Sequence, residues 1–168
     1  MSTAAEEAYR KLLASNPENE RLFETIEISH PSMSQTYLYV NDSVDLTVTD
    51  PEVTGGVFSK QNISLVNAAN NNDLDQLASF SINDLENIAD DEMDMIDLGD
   101  TTAITITYRA YHSEYLDSPA EGPLVYSVTN TTQTDGAITF EAGAPALNNN
   151  RTGRTYNYTD YPMLRGIG

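Results

Sequence analysis

The side chains in this sequence that could do chemistry are few and scattered. Two histidines occur, His30 in a His-Pro turn and His112 just past a strand-like run. There is no cysteine, which removes disulfides and thiolate metal sites. No GxSxG elbow, HExxH pair, Gly-rich phosphate loop or GxGxxG is present. A lone histidine beside a turn is ordinarily exposed or hydrogen-bonding rather than catalytic. The chain therefore reads as a non-enzyme, with no catalytic residue, metal ligand or cofactor assigned.

Carboxylates are the abundant functional group. Residues 84–100 hold Asp84, Glu86, Asp90, Asp91, Glu92, Asp94, Asp97 and Asp100. Calcium takes about six to eight oxygen ligands, so a run this dense invites a calcium reading. The EF-hand spacing is missing, however. Its nearest approximation, from Asn71, has Gln76 where glycine is needed and Ile82 where the bidentate glutamate belongs. A solvated acidic helix face is the better reading. Paired carboxylates for glycoside hydrolysis need an aromatic-lined cleft; tryptophan is absent, but ten tyrosines remain.

The formal charge is −18, from 26 acidic and 8 basic residues. Such a surface repels phosphate backbones and anionic lipid, so neither nucleic acid nor a membrane is expected as partner. No run of about 18 apolar residues spans a bilayer. The start of the chain carries glutamates where a signal peptide needs basic residues, so synthesis in the cytosol is expected. Residues 151–168 stand apart, with Arg151, Arg154 and Arg165 against Asp160 alone. Their charge is opposite to that of the body. Two readings stand side by side: chance in a short segment, and an arm that docks on an acidic neighbour, its own body or another subunit's.

The elements that must position these groups are mostly strands. Residues 101–111 alternate: Ile104, Ile106, Tyr108 and Ala110 point one way, Thr105, Thr107, Arg109 and Tyr111 the other. Alternation of this kind predicts a central strand with one buried and one wet face. Residues 124–129 and 137–141 predict two more strands and a meander, joined by a polar connection over 130–136 that ends in the turn pair Asp135-Gly136. Further strands are expected over 22–29, 36–41, 44–49, 57–66 and 78–82. Within 44–49, Val44, Leu46 and Val48 share a face.

Residues 3–15 predict a helix, with Thr3 and Glu6 as a capping box and Ala5, Ala8, Tyr9, Leu12 and Leu13 as its apolar stripe. A helix this short is marginal alone, so it should dock on the sheet. A second, acidic helix is expected over 84–96. The fold class is therefore mainly β (α+β): an antiparallel β-sandwich or partly closed barrel with helices at its side. Residues 1–150 form one domain and 151–168 an extended arm.

One ordered set of segments goes beyond composition: His30-Pro31, Val40-Asn41-Asp42, Ile82-Asn83-Asp84 and the late Tyr161-Pro162-Met163-Leu164. This resembles a family of unknown function encoded among the minor tail genes of long-tailed bacteriophages. The polar residues 67–75 and 146–150 depart from the family pattern. The resemblance implies a β-rich structural subunit of the virion's tail tip, made in the host bacterial cytoplasm. Its implied partners are distal-tail, hub and tape-measure proteins and further copies of itself in a ring, with no cofactor. On that reading Arg151, Arg154, Tyr156, Tyr158, Tyr161 and Arg165 are the partner-binding residues, because tyrosine and arginine dominate interface energetics. The alternative is a carbohydrate- or calcium-dependent binding module on a virion or cell surface.

Overall fold

The computed structural model describes residues 4–15, 20–53, 55–67, 77–83, 95–96, 100, 102–134 and 136–143. Among these are one helix, α1 (Ala4–Ser15), and nine strands. The strands are β1 (Leu22–Ser29), β2 (Tyr37–Asn41), β3 (Leu46–Thr47), β4 (Val57–Gln61), β5 (Ile63–Asn67), β6 (Leu77–Asn83), β7 (Thr105–His112), β8 (Glu121–Thr134) and β9 (Ala137–Gly143). They form one sheet in the order β3-β4-β2-β1-β7-β8-β9-β6-β5. All pairs are antiparallel except β2 with β4. The fold is mainly β, as expected, with one parallel pair making the sheet mixed. Residues 130–134, expected as a connection, instead continue β8, because β9 pairs with them as far as Thr134.

The sheet curls into a partly closed barrel. β5 ends the strand order and β4 stands next to its other end, inside β3, yet Asn62 alone separates them in the chain. The predicted strand 57–66 is thus two strands serving opposite sides of the sheet. Asn62 accepts a backbone hydrogen bond from the Asn83 N–H at 3.3 Å, and the Ile63 N–H donates to the Asn41 side-chain oxygen at 3.3 Å. These bonds pin the crossing point.

The barrel interior holds the main core, to which β1, β5, β6, β7 and β9 contribute Ile26, Ile28, Ile63, Phe80, Ile82, Ile106, Tyr108, Ile138 and Phe140. Phe80 faces Phe140 across the β6–β9 pair, and Ile82 faces Ile138. Tyr126 of β8 meets the Phe80 ring edge-on at 5.3 Å. The predicted inward set Ile104, Ile106, Tyr108 and Ala110 is buried here.

The other face of β7 was expected to be wet and is not. Arg109 is 6% exposed and Tyr111 fully buried. The chain between β2 and β4 folds back over this face, and a second core forms from Val40, Leu46, Val48, Val53, Phe58 and Tyr111. The cover is tied down by Val48 N–H to Gly56 O at 2.7 Å and Thr49 N–H to Leu116 O at 2.8 Å. That covering role also corrects the strand expected over 44–49. Only Leu46–Thr47 pair as a strand, and Val44 is exposed while Leu46 and Val48 are buried, because hydrogen bonds to loops replace the ladder.

The helix docks against β7, as expected, through Ala5 and Tyr9, but Leu13 stands 67% exposed and leaves the stripe. The predicted cap Thr3 lies outside the described residues. Of the predicted acidic helix only Met95 and Ile96 are described, and Ile96 packs against the main core.

Candidate functional site

Both histidines turn out to be buried parts of turns. The Ser32 N–H donates to His30 Nδ1 at 3.1 Å, so the ring's proton sits on Nε2 and reaches the Thr102 carbonyl at 3.1 Å. His112 repeats the arrangement: the Glu114 N–H donates to Nδ1 at 3.2 Å and Nε2 points at Glu20, 3.3 Å away. Because β1 and β7 are antiparallel, the two rings lie at opposite ends of the pair. In each ring Nδ1 holds a turn and Nε2 faces a distant segment of the chain.

On the outer face, Arg109 pairs with Glu27 at 2.6 Å, the Tyr111 hydroxyl donates to Asp50 at 2.8 Å, and Thr25 donates to the Arg109 carbonyl at 2.9 Å. Asp50 also accepts the Glu52 N–H. The Tyr111–Asp50 bond fastens the covering segment to the sheet, while the Arg109 contacts tie β7 to β1.

The open chemistry lies at one mouth of the barrel, in a cleft of about 490 Å³ lined by Glu24, Asn41, Tyr108, Glu121 and Tyr126, with Leu124 and residues 63–65 at its sides. Glu24 on β1 and Glu121 on β8 flank Ala110 of β7 on one rung. Two strand spacings place their Cα atoms roughly 10 Å apart. Asn41 donates to Glu24 at 3.3 Å, the Tyr108 hydroxyl to Glu24 at 3.4 Å, and the Tyr9 hydroxyl to Glu121 at 3.0 Å. Burial, reinforced by the two glutamates, holds the Tyr108 phenol above its ordinary value; burial and then Glu121 do the same for Tyr9 and Tyr126.

Glu121 reaches this cleft through a β-bulge. Tyr108 pairs with Leu124 and Ala110 with Glu121, so three β8 residues oppose two steps of β7. One extra residue flips the alternation and turns Glu121 to the face of Leu124 and Tyr126. Gly122 makes this fit: its φ is +94°, and a Cβ there would stand 2.6 Å from the Tyr108 carbonyl.

No ion pair joins Glu24 or Glu121 to a basic side chain among the described residues. Two carboxylates between phenol rings suit a cation that carries N–H donors, since such groups gain charge-assisted hydrogen bonds and ring-face attraction. Glu24 was legible as a polar residue on the face of Ile26 and Ile28. Glu121 was not, because only the bulge brings it there. The expected partner residues Arg151, Arg154, Tyr156, Tyr158, Tyr161 and Arg165 lie outside the described residues.

The family model described as Domain of unknown function (DUF1833) matches residues 8–156, nearly the whole chain and all nine strands. The chain belongs to this family. No curated protein matches it. In this DUF1833 member the segments His30-Pro31, Val40-Asn41-Asp42 and Ile82-Asn83 all sit at strand ends, where His30, Asn41 and Asn83 make the turn and crossing bonds described above.

Proposed function

We propose that this protein is a structural subunit of a bacteriophage tail tip and acts by protein–protein assembly, without catalysis. The observation that carries the reading is the far half of β8. β7 pairs with β8 only as far as Ser127, whereas β9 follows it to Thr134. Residues 129–134 are exposed and, among the described residues, paired on one side only. A strand edge of this kind is a template for another chain. The ordered segment resemblance supplies the setting, with distal-tail, hub and tape-measure proteins and further copies of the chain in a ring as partners. Residues 151–168 would add the arm that reaches a neighbour.

Co-expression with the neighbouring tail proteins tests this. A stable complex is expected, lost on deleting residues 151–168 while the barrel's melting temperature is kept. A subunit that stays alone with all of those proteins would sink the reading.

A carbohydrate-binding module needs a tyrosine-lined groove and a calcium-dependent one needs clustered carboxylates, and the cleft with Tyr108, Tyr126, Glu24 and Glu121 favours such a module as the second reading. A melting temperature several degrees higher in calcium than in EDTA would support it, since a ligand bound only by the native state stabilises it.

A further inference from the structure

We infer that His112 is an acid-sensitive clasp: a second proton on its ring frees the 112–116 turn, which ties the covering segment to the end of β7. The ring is wholly buried. In its neutral form Nδ1 accepts the Glu114 N–H at 3.2 Å, which leaves the ring proton on Nε2, 3.3 Å from the Glu20 carboxylate. A second proton has only Nδ1 to go to. Both nitrogens of a histidine cation are donors, so the Nδ1–H and the Glu114 N–H then confront each other and the bond between them is lost.

The surroundings decide which side gives way. From the segment before β1, Glu20 faces Nε2 and gains a charge-assisted hydrogen bond when the ring becomes a cation. Lys11 of α1 stands 3.9 Å from the other oxygen of that carboxylate. Arg21, next along, exchanges backbone hydrogen bonds with Ser113 and turns its guanidinium to Asp42. On the turn itself the titratable groups are Glu114 and Tyr115, whose ring lies 5.9 Å from the imidazole. The ring is anchored at Nε2 and packed in place, so the turn is the part that moves.

What the turn holds gives that movement its reach. The Leu116 carbonyl accepts the Thr49 N–H at 2.8 Å, and the Leu116 side chain packs against the second core. Thr49 lies between Val48, buried in that core, and Asp50, whose carboxylate takes the Tyr111 hydroxyl. Opening at His112 therefore passes to the cover through Glu114 and then the Thr49–Leu116 bond. His30 has the same build at the other end of the β1–β7 pair, with the Ser32 N–H on Nδ1 and with the Thr102 carbonyl 3.1 Å and Asp100 3.7 Å from Nε2. None of those bonds reaches the covering segment, so the loosening of the cover belongs to His112. The inference concerns the isolated chain and stands independently of tail assembly.

Histidines change charge between about pH 8 and 5, so the test follows amide hydrogen exchange and the ring resonances of the full chain over that range. Protection at Glu114 and Thr49, corrected for the intrinsic pH dependence of exchange, should fall about two- to tenfold as pH drops, the effect of losing one ordinary hydrogen bond. The midpoint should be that of the His112 ring, and the Phe80 and Phe140 amides of the main core should keep their protection. The fall should survive Glu20→Gln and Glu114→Gln, which remove the neighbouring carboxylates' own titrations. It should vanish in His112→Asn, whose side-chain oxygen can accept the N–H two residues on but takes up no proton. If that variant does not fold, agreement of the amide and ring midpoints in the native chain decides alone. Four results would overturn the inference: a ring that takes the proton while Glu114 and Thr49 stay protected, a ring that stays neutral until the whole barrel unfolds, a fall that disappears with either carboxylate, or one that persists in His112→Asn.

Discussion

Tyr108 and Tyr111 show how one strand serves two environments at the scale of single residues. Tyr108 lies in the barrel with its hydroxyl at the cleft, and Tyr111, on the opposite face, seals the second core against Phe58 and Asp50. Burial is the main reason each phenol is held above the ordinary value of 10.0; Glu24 adds to it for Tyr108 and the Asp50 hydrogen bond for Tyr111. A phenol raised in the folded chain keeps its proton where the unfolded chain has lost it. Their stabilisation is therefore fully present below pH 10 and is lost as pH climbs from there through the raised folded values. Melting temperature is expected to fall above pH 10, with tyrosinate absorbance from these two appearing only as the chain unfolds. Titration of all ten tyrosines near pH 10 in a chain that stays folded would contradict this.

At the scale of elements, the bulge in β8 decides which side chains face the cleft. Gly122→Ala puts a methyl against the Tyr108 carbonyl in a backbone conformation that alanine adopts poorly. The expected cost is about 1–3 kcal/mol, the usual range for a strained backbone site. It should appear as a lower urea midpoint, together with altered resonances for Tyr9 and Glu121. The same change at Gly55, whose φ is +95° and whose added Cβ would meet only Leu38 Cδ1 at 4.0 Å, serves as a comparison for positive φ alone. Equal loss at both glycines would show that the contact with Tyr108 contributes nothing.

For the whole molecule, electrostatic repulsion is the main force acting outside the cores. A net charge of −18 on 168 residues means that folding concentrates like charges. Added salt should therefore raise the melting temperature, most steeply up to about 0.15 M, where the screening length reaches about 8 Å. Calorimetry across a salt series checks this. A falling melting temperature would mean that pairs such as Arg109–Glu27 outweigh the repulsion.

Alternation along the chain was enough to specify most of the strands, the inward face of β7, the β7–β8–β9 meander and a helix that needs a sheet to dock on. Those follow from side-chain period and turn chemistry, which are local. The turn at His30 was equally legible, whereas His112, expected just past the strand, is the last residue of β7. Three things belong to the tertiary structure: the second core over Arg109 and Tyr111, the splitting of residues 57–66 at Asn62, and the meeting of Glu24 with Glu121. Each depends on which distant segment covers a face or which strand gains an extra residue. A local pattern shows that a face can be buried or left wet; only the path of the rest of the chain determines which one happens.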